Sequence, residues 1–150
     1  MDLNGLDVAR KAVILARIAG LDAVELNDLV VEPLVPPSLE SCSVQDFWSC
    51  LSEHDEEFAR MIKKVEDERP GNRLHYAAKV DLMAKDPKNR VVVGPVVCEA
   101  SHPFNSAGMD NLVAVTTNFY SPRPLVVQGA GAGGDVTATG ILADILSCQR

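Results

Sequence analysis

The chain has 150 residues, 47% of them hydrophobic and 23% charged, which is enough for a globular domain with a real core. Its formal net charge of -7 argues against a nucleic-acid backbone as partner, because phosphate binding needs clustered Lys and Arg. No apolar run of about 18 residues occurs, so no membrane span is expected, and the opening MDLNGLDVARK lacks the basic-then-apolar layout of a secretion signal.

The spacing predicts a helix over residues 4–19, with Asn4 as its cap and Gly20 as its stop. On a helical wheel Val8, Ala9, Ala12, Val13, Leu15, Ala16 and Ala19 fill one broad face, with Arg10 and Arg17 opposite. Asp7, Lys11, Ile14 and Ile18 form a third strip, three or four residues apart. Residues 23–35 read as one or two short strands, broken by Pro33, Pro36 and Pro37. Ser43 then caps a second helical stretch that runs to residue 69 in one or two pieces, with Phe47, Leu51, Phe58, Met61, Ile62 and Val65 on its apolar side. Its acids at 53–57 and its bases Arg60, Lys63 and Lys64 read as a solvated outer face.

Strands follow at 74–83, 90–99, 111–120 and 125–128, with a turn at 86–89 between the first two. A last helix is expected over about 135–148, and it is apolar on nearly every side. The order predicts an α+β fold: a mostly antiparallel or mixed sheet covered by helices. Cys42, Cys50, Cys98 and Cys148 make no C-x-x-C pair, and His54, His75 and His102 are scattered. Spacing therefore gives no zinc site, and free thiols in a reducing compartment are expected.

Two stretches carry candidate chemistry. Gly129, Gly131 and Gly134 spell G-x-G-x-x-G between a strand and a helix. A dinucleotide fold needs a further strand and an acidic residue about 20 positions on, whereas sixteen residues follow Gly134 and the helix takes them. The loop is thus either a tight strand-to-helix connection or a surface that touches a cofactor held mainly by other protein; Asp135 at the helix start opposes phosphate. In DLNGLDVARK, Asp7 and Lys11 stand one helical turn apart. Such a pair is an ordinary surface ion pair, or a lysine poised to move a proton, with Asp2 and Asp7 able to bind a substrate ammonium.

DLNGLDVARK resembles the second half of the homoserine dehydrogenase signature, aspartate–leucine–x–glycine–x–aspartate–three residues–lysine, matched by Asp2, Leu3, Gly5, Asp7 and Lys11. SHPF, DNLVAVTTNFY and PLVVQGAGAGGDVTATG are similar, in order and spacing, to the ending of the same family, so the resemblance covers essentially the whole chain. Met1 stands where that family usually carries another aspartate, and Asp135 where it usually carries glutamate.

The resemblance implies an oxidoreductase that interconverts L-aspartate 4-semialdehyde and L-homoserine with NAD or NADP. It implies Lys11 as the catalytic proton carrier and Asp2 and Asp7 as substrate-binding acids. Gly129, Ala130, Gly131, Ala132 and Gly133 would lie beside the nicotinamide. It further implies a homodimer formed through the sheet, a catalytic and dimerisation domain over 1–134, and a helix over 135–150 that returns to a Rossmann domain upstream of residue 1. Another lysine and a substrate-contacting glutamate would lie upstream as well. Without that half the chain is expected to be inactive. The compartment implied is the cytoplasm, or a plastid if a transit segment precedes residue 1. The reading from another class is a non-enzymatic α+β interaction and dimerisation module that uses its sheet and apolar last helix.

Overall fold

A computed structural model describes residues 2–106, 108 and 110–148. The chain divides into two compact units, residues 1–99 and 100–150. The α+β expectation holds, and the strands are distributed over one small mixed sheet and one small antiparallel sheet.

In the first unit, helix α1 spans Leu6–Ile18. Gly5 occupies its cap position with φ 75°, and Asn4 contributes from one residue further back: its Oδ1 accepts from the Leu6 N–H at 3.0 Å. The far end closes as expected at Gly20. Gly20 takes a left-handed φ of 105°, its N–H bonds the Arg17 carbonyl, and the Leu21 N–H reaches back to the Ala16 carbonyl at 2.9 Å. This is the Schellman closure that glycine permits.

Residues 23–35 differ from the expected strands. A 3-10 turn at Leu26–Asp28 interrupts the segment, closed by Glu25 and Asp28, which cap each other. Only Val30–Val31 remains as strand β1. Ser43 caps helix α2, Val44–Cys50, by accepting from the Asp46 N–H at 3.1 Å. A 3-10 turn at Leu51–His54 links it to α3, Asp55–Glu68, so the second helical stretch comes in pieces.

Strands β2, Arg73–Val80, and β3, Val91–Cys98, pair antiparallel, from Arg73 opposite Cys98 to Val80 opposite Val91. They are joined through a turn that Asp86 fixes by accepting from the Lys88 N–H. β1 lies parallel to β3 on its other side, with Val31 opposite Val93, giving the order β1-β3-β2. The core is the seam between α1 and this sheet. Ala9, Ala12 and Ala16 are buried to 1% exposure or less and meet Val91 and Val93, with Tyr76, Ala78 and Val80 packed around them. Small side chains on the buried face bring the helix close to the strands, and two β-branched valines fill the space between. Leu15 and Ala19, placed on the same face by the wheel, are exposed. The buried stripe is narrower than the apolar face that the sequence offers.

In the second unit, β4 (Asn111–Val115) and β5 (Leu125–Gly129) form an antiparallel pair, and α4 (Gly134–Ser147) follows. The strand expected to reach residue 120 stops at Val115. The Thr117 hydroxyl accepts from the Phe119 and Tyr120 N–H groups at 3.2 and 3.1 Å, folding those residues into a turn. Every residue of β5 and α4 is exposed. No helix among the described residues is long and apolar enough to cross a membrane.

Candidate functional site

The acid and the lysine of the first motif do come together. Lys11 Nζ lies 2.8 Å from Asp7 Oδ2, one turn along α1, with the two side chains 68% and 56% exposed. Their strip continues through Ile14 and Ile18, which are 58% and 79% exposed. The strip faces away from the seam, because the alanine face opposite it is what the sheet covers. A pair so open contributes about 0.3–0.5 kcal/mol to stability. Its chemical content is a cation, fixed in direction by a carboxylate, beside an uncovered apolar surface. Two shallow depressions lie along the charged side of α3, among Arg60, Lys63, Lys64, Asp67 and Glu68. Asp2 belongs to a short 3-10 turn, Asp2–Asn4; its side chain, and with it the substrate-binding role expected of it, lies outside the described residues, as does Met1.

What holds this motif in place is less visible in the sequence. Gly5 sits against Tyr76 and Val31: a Cβ added at Gly5 would collide with the Tyr76 hydroxyl and come within 2.9 Å of Val31 Cγ1. The Tyr76 hydroxyl donates to the Glu32 carbonyl at 2.9 Å. Burial first, and then the nearby Glu32 carboxylate, push the phenol above its usual pKa, so it remains a donor at neutral pH. The Leu34 N–H bonds the Leu3 carbonyl at 2.8 Å on the other side of the turn. Gly5 itself was the available signal: a glycine where Asn4 alone could have started the helix marks a close approach by something.

Elsewhere in the unit, His54 bridges two segments, with Nε2 3.1 Å from Ser38 Oγ and Nδ1 3.2 Å from Glu57 Oε2. Ser38 and Glu57 are exposed, so the trio fastens the loop after Pro37 to α3 at the surface. Among the described residues no group of three His, Cys, Asp or Glu side chains is arranged to hold a metal ion.

In the second unit the loop from Gly129 to α4 is bare backbone. A Cβ at Gly129, Gly133 or Gly134 would meet nothing within 4 Å, whereas at Gly131 it would collide with the Asn111 side chain. Residues 124–149 contain no lysine or arginine, and Asp135 lies in the first turn of α4. Such a loop suits a flat ring that carries no phosphate and does not suit the phosphates of a nucleotide. The loop therefore has room for a flat ring and no charge to offer a phosphate.

The family model for homoserine dehydrogenase matches residues 1–146. A bifunctional aspartokinase/homoserine dehydrogenase 1, chloroplastic, of Zea mays is 44% identical over 97% of this chain and 15% of its own length. Homoserine dehydrogenases of Schizosaccharomyces pombe and Saccharomyces cerevisiae are 41% and 40% identical over 97% and 99% of this chain. The chain spans 38% and 40% of the length of those two relatives. A crystal structure of a Candida auris protein of unknown function superimposes with a TM-score of 0.83 at 43% identity, over 97% of this chain and 39% of that one. The motif at the start of α1, the glycine loop before α4 and a family match that runs between them lead to one conclusion: this chain belongs to the homoserine dehydrogenase family.

Proposed function

We propose that this chain supplies the substrate side of an NAD(P)H-dependent reduction of L-aspartate 4-semialdehyde to L-homoserine, a step on the route to threonine, methionine and isoleucine. The observation that carries the reading is the Lys11–Asp7 contact at 2.8 Å, on a helix start whose sequence is the family motif. Lys11 donates a proton to the carbonyl oxygen as that oxygen gains charge, and water restores the ammonium afterwards. Asp7 fixes the direction of the Lys11 ammonium. Together with Asp2 it offers negative charge to the ammonium of the amino-acid substrate. NADPH or NADH, when bound, supplies the hydride to the carbonyl carbon. Gly129, Ala130, Gly131, Ala132 and Gly133 lie against the nicotinamide end, where the lack of large side chains lets backbone approach a ring.

Residues other than these 150 hold the adenine half, and α4 packs on them; residues 1–134 form the substrate and dimerisation part in this reading. Two copies associate through the sheet. The reaction takes place in the cytoplasm, or in a plastid as the name of the maize relative indicates for that protein. The exposed apolar α4 equally suits a non-enzymatic module that docks on a dehydrogenase-like partner, and one assay separates the two readings. NADPH oxidation with the semialdehyde is followed with the nucleotide-binding part of the protein supplied. Turnover that falls by about 10²-fold or more in Lys11→Ala is expected of a general acid. A rate left unchanged by that substitution removes Lys11 from the mechanism, and absence of any turnover supports the module.

A further inference from the structure

We propose that Tyr76 is a positioning residue for the Asp7–Lys11 pair: its hydroxyl, held on the Glu32 carbonyl, forms the floor beneath Gly5 and sets the direction in which α1 leaves the motif. The inference rests on the assignment of Lys11 as the proton carrier.

Three segments distant in sequence meet at this hydroxyl. Tyr76 is on the central part of β2, opposite Pro95 of β3. Glu32 follows β1, and its N–H is bonded to the Val93 carbonyl at 2.8 Å, so the acceptor that Tyr76 uses is itself tied to the sheet. Gly5 lies over the phenol with no room for a Cβ. The Gly5 carbonyl then accepts from the Ala9 N–H at 2.9 Å as the first bond of α1. The path is therefore short: sheet, Glu32 carbonyl, Tyr76 hydroxyl, Gly5, first turn of α1, Asp7, Lys11. Asp7 is in that first turn and Lys11 is one turn later. A helix start that tilts displaces both side chains together, and a proton carrier displaced by about 1 Å costs up to about 10² in rate. Removing the hydroxyl leaves the Glu32 carbonyl without that donor and opens a gap where Gly5 rests.

The test uses Tyr76→Phe, Gly5→Ala and the double variant. In the 150-residue chain, hydrogen exchange at the Ala9 amide should quicken about tenfold in Tyr76→Phe. Exchange at the β2–β3 pair Lys79 and Val92 should change by less than about twofold. A merely structural tyrosine would speed all three alike. Gly5→Ala should lower the melting temperature by about 5 °C or more with Tyr76 in place. In the Tyr76→Phe background it should lower it by about half as much, because the colliding atom has gone. With the nucleotide-binding part supplied, kcat should fall about tenfold in Tyr76→Phe, with KM changed less than about threefold. Unchanged Ala9 exchange, or additive melting shifts, overturns the role of Tyr76 and leaves Lys11 untouched. Unchanged kcat in Lys11→Ala overturns the function while the exchange and melting arms still judge Tyr76.

Discussion

Residues 2–99 and residues 100–148 solve the same problem differently. In the first unit a helix lays its smallest side chains on a three-stranded sheet, and Ala9, Ala12, Val13, Ala16, Leu39, Val65, Val91, Val93 and Cys98 are buried. In the second, a two-stranded ribbon and a helix of the same apolar character bury none of their described residues: Val136, Ile141, Leu142, Ile145 and Leu146 are all 44–58% exposed. Hydrophobic composition is thus not burial. A two-stranded pair is marginal on its own, and a helix apolar on all sides needs cover on all sides. An apolar patch of this kind is more than a monomer usually leaves in water. In the proposed reading its cover is the part of the dehydrogenase outside these residues.

The contrast can be broken experimentally, first through its thiols. Cys98 is 2% exposed in the first unit and Cys148 is exposed in the second. Cys148 should react with an aromatic disulfide reagent at least about 10²-fold faster than Cys98, whose modification should wait for unfolding; equal rates would show that the first unit opens as readily as the second. Burial also pushes the Cys98 thiol above its usual pKa. Its contribution to stability is therefore complete below the pKa of the unfolded thiol, about 8.5, and is lost as pH rises from there through the folded value. A loss of stability that sets in at about pH 8.5, and in Cys98→Ala is delayed to the range of Tyr76 at about 10 and above, would show it.

A smaller effect is expected from Val93→Ala. Val93 is fully buried between α1 and β3, so the loss of its two methyl groups and the resulting cavity should cost about 2 kcal/mol in denaturant unfolding. The smallest effect sharpens the contrast. Ile145→Ser should change the stability of the chain by less than about 0.5 kcal/mol. The same substitution should weaken association with the nucleotide-binding part, read by titration calorimetry. A large loss of stability from Ile145→Ser would mean that α4 is covered within the chain itself.

Much was legible before any coordinates. Where a signal is local, one residue and its near neighbours suffice. Ser43 caps α2, Gly20 closes α1, Asp86 fixes its turn, and the three-to-four spacing brings Lys11 to Asp7. Each of these is a contact within five residues, set by helix or turn geometry.

What the amino-acid order alone determined, then, is the elements, the motif that joins an acid to a lysine, and the excess of apolar surface on the last helix. The tertiary structure decided which part of each apolar face is used: Ala9 and Ala16 meet the sheet, while Leu15 and Ala19 remain in water. It reduced a promising strand to the two residues of β1, and it placed the Tyr76 hydroxyl beneath Gly5. These outcomes depend on residues tens of positions apart competing for the same space. Periodicity along a chain carries no record of that competition, because packing is settled by the shape of the neighbour and not by the pattern of the segment.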